Sequence, residues 1–370
     1  MKNIATTSES LAAGKALLAV LLVLLLPGAV CAVITGPCSG CHAMHFSQDG
    51  TILAEWGSGG PYGALLTDDC AGCHTGVNDG SAPYVNSTTA PIYNSSGSIG
   101  NIPAGGSFYW VNQAQGDARG HNVDILSTAD ATLSVPPGFE AGRDAADGSR
   151  VAGGNWPPGQ QVSCSGLYGC HGTHSVADIT AALGGGHHGS LSNDTVTNPG
   201  TVPYVGFRML LGIAGKEDPD WEYTFSASDH NQYKGVDDPG GGSDSTTIST
   251  LCARCHGLFH SPINEMGTSS PWLRHPNDFD LGNSGGEYAN YNGGSGYNNL
   301  IPLGSTNITT VLSSPTVTSA AGEAIITCLS CHRAHGSPYL DSLRWDYAAA
   351  YVPGLTDGFG GCAVCHSSKN

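Results

Sequence analysis

The chain has 370 residues, among them 13 cysteines and 15 histidines. Its 54 glycines, 21 prolines and only 12% charged residues leave little material for long helices or continuous sheets. A formal net charge of -17 argues against binding nucleic acid or anionic lipid through a basic patch, and it reads as an acidic, solvated surface.

The N-terminus reads as a targeting segment. Lys2 and Lys15 supply positive charge, Ala16 to Leu26 is nearly pure Ala, Leu and Val, and Pro27-Gly28 breaks the run. Val30-Cys31-Ala32 offers small residues for cleavage, so residues 1–32 are expected to be a signal peptide and Val33 the first mature residue. Val30 is a poor residue for a lipidation signal at Cys31. The apolar run is short for a membrane span and nothing after it resembles one, so a soluble mature protein outside the cytoplasm is expected.

The remaining cysteines come in pairs. Five pairs follow C-x-x-C-H: Cys38 and Cys41 with His42, Cys70 and Cys73 with His74, Cys252 and Cys255 with His256, Cys328 and Cys331 with His332, and Cys362 and Cys365 with His366. This pattern is the attachment signal for c-type haem. Two thiols add across the vinyl groups at one porphyrin edge, and the next histidine swings under the ring to bind iron. A zinc site uses C-x-x-C as well, but has no need of histidine after every second cysteine. Nor does a disulfide framework, the ordinary use of cysteine in an exported chain.

A sixth pair departs from the rule. In Cys164-Ser-Gly-Leu-Tyr-Gly-Cys170-His171 five residues separate the thiols. The reading adopted is a haem attachment whose longer loop bulges away from the porphyrin; a disulfide is the alternative, which would leave five haems instead of six. With six pairs, every cysteine is used except Cys31, which leaves with the signal peptide.

Six histidines are then proximal ligands: His42, His74, His171, His256, His332 and His366. Low-spin electron-transfer haems need a second ligand each. His45, His174, His260 and His335 follow an attachment histidine by three or four residues. A residue that close emerges on the same side of its own haem, so it is expected to bind a neighbouring iron and tie two haems together. His121 in Arg-Gly-His-Asn and His275 in Leu-Arg-His-Pro complete the set of six. His187, His188 and His230 read as surface or packed residues. No C-x-x-C-Lys occurs, which speaks against a multihaem reductase with an open iron.

Residues 33–370 give roughly 56 residues per haem, too few for six separate domains, so a single hexahaem unit is expected. The expected fold is mostly irregular and loop-rich, with a few short α-helices and minimal β, the polypeptide wrapped around a chain of haems. Short helices are placed at Val176–Leu183, after His332 and around Leu343–Tyr351, with Ile308–Val317 extended. Trp110, Trp156, Trp221, Trp272 and Trp345 are packing residues by default. Asp237-Asp238 and Asn277-Asp278-Phe279-Asp280 read as turns in preference to a calcium site.

With these motifs in place, the chain from Cys38 to His366 resembles the hexahaem outer-membrane cytochrome S family. The matching pieces are Cys38–His45, Cys70–His74, Gly120-His121-Asn122, Cys164–His174, Phe207-Arg-Met-Leu210, Cys252–His260, Leu273-Arg-His-Pro276, Cys328–His335 and Cys362–His366. The resemblance implies the same six distal histidines. It also implies a homopolymeric extracellular conductive filament in which His45 ligates the haem of His332 in the adjacent subunit. The third motif departs from the family, which has C-x-x-C-H there. Electron transfer to other cytochromes, minerals or electrodes is the expected function, with no catalytic residues. A soluble shuttle at the periplasm or outer surface is the alternative, and a reductase the weaker one.

Overall fold

The computed structural model describes residues 37–43, 47–48, 51–52, 63–78, 84–93, 99–100, 102–145, 149–151, 154–184, 187, 195–197, 205–238, 243–260, 277–284, 288, 291, 297–317, 322–347 and 361–366. The signal-peptide segment, His45, His188, Trp272 and His275 lie outside them.

Five short α-helices occur among the described residues: α1 (Cys70–His74), α2 (Ile179–Leu183), α3 (Ile248–Ala253), α4 (Cys328–Cys331) and α5 (Gly361–Cys365). Isolated helices this short are unstable on their own, so capping and tertiary contacts must hold them. Asp69 caps α1 by accepting from the Gly72 amide at 3.1 Å. Thr247 caps α3 through the Thr250 amide at 3.3 Å, and Thr327 with Ser330 forms a reciprocal box at the start of α4. Asp178 caps α2, whose C-terminus stops at Gly184 in the left-handed region.

The described strands are two residues long and pair locally; the widest sheet joins Thr195–Val196, Gly215–Lys216 and Gln232–Tyr233. The loop-rich expectation therefore holds, but two of the predicted elements do not form. After His332 the chain turns instead of coiling, because Arg333 reaches the carbonyls of Pro103 and Ala104 and Gly336 adopts a φ of 151°. Ile308–Val317 forms no strand; the Thr309 amide donates to the Asn307 side chain and the Leu312 amide to that of Gln232, each at 3.0 Å.

Among the described residues, buried apolar side chains form three small clusters. One surrounds Leu281, Ile301, Ile326 and Trp345 and includes Cys365, with Cys331 and Cys362 packed against it. The second joins Phe207, Ile213, Tyr233, Ile248 and Leu251; the third joins Phe108, Val111 and Val123. Helices α3, α4 and α5 thus deliver their cysteines to the edges of these clusters.

Candidate functional site

All twelve motif cysteines are free thiols, Cys164 and Cys170 included. In the regular motifs the backbone closes one tight turn. The carbonyl of the first cysteine accepts from the histidine amide at 2.9 Å for His42, 3.0 Å for His256, 3.1 Å for His332 and 2.8 Å for His366. It also accepts from the second cysteine, at 3.1 Å for both Cys41 and Cys255. This turn holds both cysteines and the histidine on one closed loop.

The irregular motif makes the same closure. The Cys164 carbonyl accepts from the Cys170 amide at 3.2 Å and from the His171 amide at 3.0 Å. The additional residues fold onto themselves: Gly169 donates to Gly166, and Ser163 to Tyr168 at 3.1 Å. Gly166 has a φ of 85°, and a side chain at Gly169 would run into the Ser165 backbone. Arg254, which sits inside the fourth motif and is 1% exposed, donates to the carbonyls of Leu167 and Gly169. The loop is pinned against the next attachment site.

Successive motifs abut. The side chain of Cys164 lies beside that of Cys70, and that of Cys252 beside that of Cys328. Trp345 packs in one cluster with Cys331, Cys362 and Cys365 of the last two motifs. Motifs two and three, four and five, and five and six are therefore neighbours along the molecule.

Four of the six attachment histidines share one orientation device. Nδ1 donates to a backbone carbonyl: Ala64 for His42 at 3.0 Å, Arg208 for His171 at 3.0 Å, Pro137 for His256 at 2.7 Å and Asp341 for His332 at 2.7 Å. The bond fixes the tautomer and leaves the Nε2 lone pair for a metal. Three of these carbonyls belong to left-handed pairs, Ala64-Leu65, Arg208-Met209 and Asp341-Ser342, with φ between 53° and 58°. Non-glycine residues rarely adopt this conformation, and two in succession is a costly arrangement found at functional sites. No composition or spacing signal marks these turns, so sequence reasoning passed over them.

Imidazoles come together in pairs. With metal–nitrogen bonds of about 2 Å, two rings on opposite sides of one ion have centroids about 6 Å apart. The rings of His121 and His256 lie 6.1 Å apart, those of His171 and His335 6.5 Å, and those of His74 and His187 6.0 Å. Burial and the neighbouring imidazoles hold His74 and His256 down to about 4 and His335 to about 3, so the rings are neutral, as metal ligation requires. Trp221 lies 6.3 Å from His74. His187, expected to be a surface or packed residue, is brought to His74 only by folding.

The other expected distal residues differ. His174 is buried, with Nε2 3.2 Å from the Cys170 carbonyl. Both ring nitrogens of His260 are engaged: Arg143 donates to Nδ1 at 2.7 Å, and Nε2 donates to Asp278 at 3.0 Å. His230, 1% exposed, stacks on Tyr297 at 3.5 Å. Among the described residues there is no cluster of three or more His, Cys, Asp or Glu able to hold a bare metal ion, and no helix long and apolar enough to cross a membrane.

The donor set fits haem c. Paired free thiols on one closed turn suit two thioether bonds, neutral imidazoles suit the iron, and the buried, unpartnered Nη2 of Arg344, 0% exposed, suits a propionate carboxylate.

No protein-family model matches the chain. It is 26% identical to the C-type cytochrome OmcS of Geobacter sulfurreducens over 379 residues, covering 85% of this chain and 80% of that protein. Two solved structures are similar to it at 20% identity. An outer membrane cytochrome S filament from Geobacter sulfurreducens has a TM-score of 0.46, covering 91% of this chain and all of the other. OmcS nanowires from the same organism have a TM-score of 0.45, covering 84% of each.

Proposed function

We propose that this chain is a c-type multihaem cytochrome, an electron carrier that binds six haems and assembles into an extracellular filament. The observation that carries the reading is the set of imidazole pairs at one-metal spacing beside closed attachment turns. Haem c supplies reversible one-electron exchange at iron when bound. The chain's own residues do the rest. Cysteines anchor each porphyrin edge, Nδ1 bonds hold the proximal rings in place, and abutting motifs keep successive groups close enough for tunnelling.

The count of six rests on the third motif, whose closure onto the Cys164 carbonyl matches that of the regular motifs. Assembly into a homopolymer rests on the resemblance of the Cys38–His45 segment to the cytochrome S family, in which the histidine reaches the adjacent subunit. The relative's name, a c-type cytochrome, agrees with the electron-carrier reading.

Intact mass spectrometry of the secreted holoprotein, with electron microscopy of the same sample, tests this. A mass of the mature chain plus six haems and filaments of uniform diameter are expected. A five-haem mass would withdraw the third site, and dispersed single chains would withdraw the filament in favour of a shuttle.

A further inference from the structure

Three distant segments cross at one point, 105–107, 119–121 and 334–337, and two of the paired histidines leave from that crossing. Backbone bonds weave it together. His335 donates to Gly105 at 2.7 Å, Ser107 to Gly336 at 3.0 Å and Ser337 to Arg119 at 2.9 Å. Bridges join Gly336 to both Gly106 and Gly120. The three backbones touch, so a side chain at Gly106 or Gly120 would strike the carbonyl of Gly336 or His335. Gly106 and Gly336 also hold φ values of 86° and 151°. Only glycine allows so close a meeting.

From this crossing the two rings diverge. His121 runs to His256 of the fourth motif and His335 to His171 of the third, at 6.1 and 6.5 Å with the same 41° between ring planes. The two are also coupled, because Nδ1 of His121 donates at 2.6 Å to the carbonyl of Ala334, the residue that precedes His335. The orientation of one ring therefore depends on the strand that carries the other. His335 is packed by Phe108 at 4.8 Å on one side and by Gly105 on the other.

We propose that the Gly106–Gly120–Gly336 crossing is a shared distal-ligand platform that aims His121 at the iron held by His256 and His335 at the iron held by His171. The inference rests on the haem reading above and deepens it by assigning which distal residue serves which iron. It also explains why the fifth attachment segment, Cys328–His335, ends in a second histidine. That histidine serves the third motif rather than the fifth, so the segment clamps two sites 161 positions apart in the chain, from His171 to His332. Glycines 106, 120 and 336 act as positioning residues: they touch no iron, and they set where the ligands point.

The test uses secreted holoprotein and reads high-spin ferric iron by low-temperature electron paramagnetic resonance, relative to the unsubstituted protein. His121→Gly and His335→Gly are each expected to add one high-spin iron per chain, and added imidazole is expected to return both to low spin. The pairing is read by subtraction. In a Cys164→Ser/Cys170→Ser background, which lacks the third haem, His335→Gly should add nothing and His121→Gly should still add one. In a Cys252→Ser/Cys255→Ser background the two results should exchange. A His335→Gly signal that survives removal of the third haem overturns the pairing. Absence of any high-spin iron in both single variants overturns the distal-ligand reading itself, which separates the two failures. Gly336→Ala is expected to perturb both irons together; perturbing one alone would overturn the shared platform.

Discussion

The third and fourth attachment motifs touch each other, and they reach the same geometry by opposite means. The fourth is local. Cys252 lies on α3, Thr247 caps that helix, and the i to i+3 spacing of Cys252 and Cys255 follows from the helical turn. The third has no helix and no cap, and its thiols are separated by five residues. There the turn is closed by the same two amides on the Cys164 carbonyl, while the extruded loop is held by Arg254 from the fourth motif and by Tyr168 stacked edge-on to Trp156 at 5.3 Å. The backbone closure thus does not depend on the number of residues between the cysteines. An insertion is tolerated if something distant pins it.

The largest effect belongs to the thiols. Cys164→Ser/Cys170→Ser should remove one whole haem by mass, as Cys252→Ser/Cys255→Ser should, because the two closures are equivalent. An unchanged mass in the first variant alone would break the comparison. Next is His187, whose ring lies 6.0 Å from that of His74. His187→Ala should convert the second motif's iron to high spin while leaving the haem count at six; the same signal in His174→Ala and not in His187→Ala would reassign that site to His174.

Smaller effects sharpen the difference in how the two turns are held. Arg254→Ala should lower stability by about 3 kcal/mol, since two charge-assisted bonds to buried carbonyls are lost at about 1.5 kcal/mol or more each. Thermal denaturation should show it. Arg254→Lys should recover only part of the loss, because a single ammonium cannot span two carbonyls as the fork does. Smallest, Ala64→Gly should raise stability by about 1 kcal/mol by relieving the left-handed strain beside His42, with no change in haem count. Destabilisation by that variant would mean the turn is not strained.

Much of the site was legible before folding. Cysteine and histidine spacing marked where the closed turns fall, because thioether chemistry and iron ligation demand both residue types in a fixed local order. The irregular pair at Cys164 and Cys170 was recognisable by the histidine that follows it. The loop-rich architecture was legible from glycine and proline content and sparse charge. The helix expected after His332 was not, because its backbone is claimed by Arg333 and by the crossing at Gly336.

What the sequence by itself determined are the short-range facts: which cysteines and histidines stand together in attachment order, and that little regular structure can form. Tertiary structure alone decided the long-range ones. It set His335 opposite His171 and His121 opposite His256, brought His187 to His74, engaged His260 with Arg143 and Asp278, and placed strained carbonyls under the proximal rings. The physical reason is that an axial pair is a relation between two distant backbones meeting at one point. Each histidine looks alike along the chain, and only the close approach allowed by glycine, the buried arginines and the packing around them decides which two rings face one another.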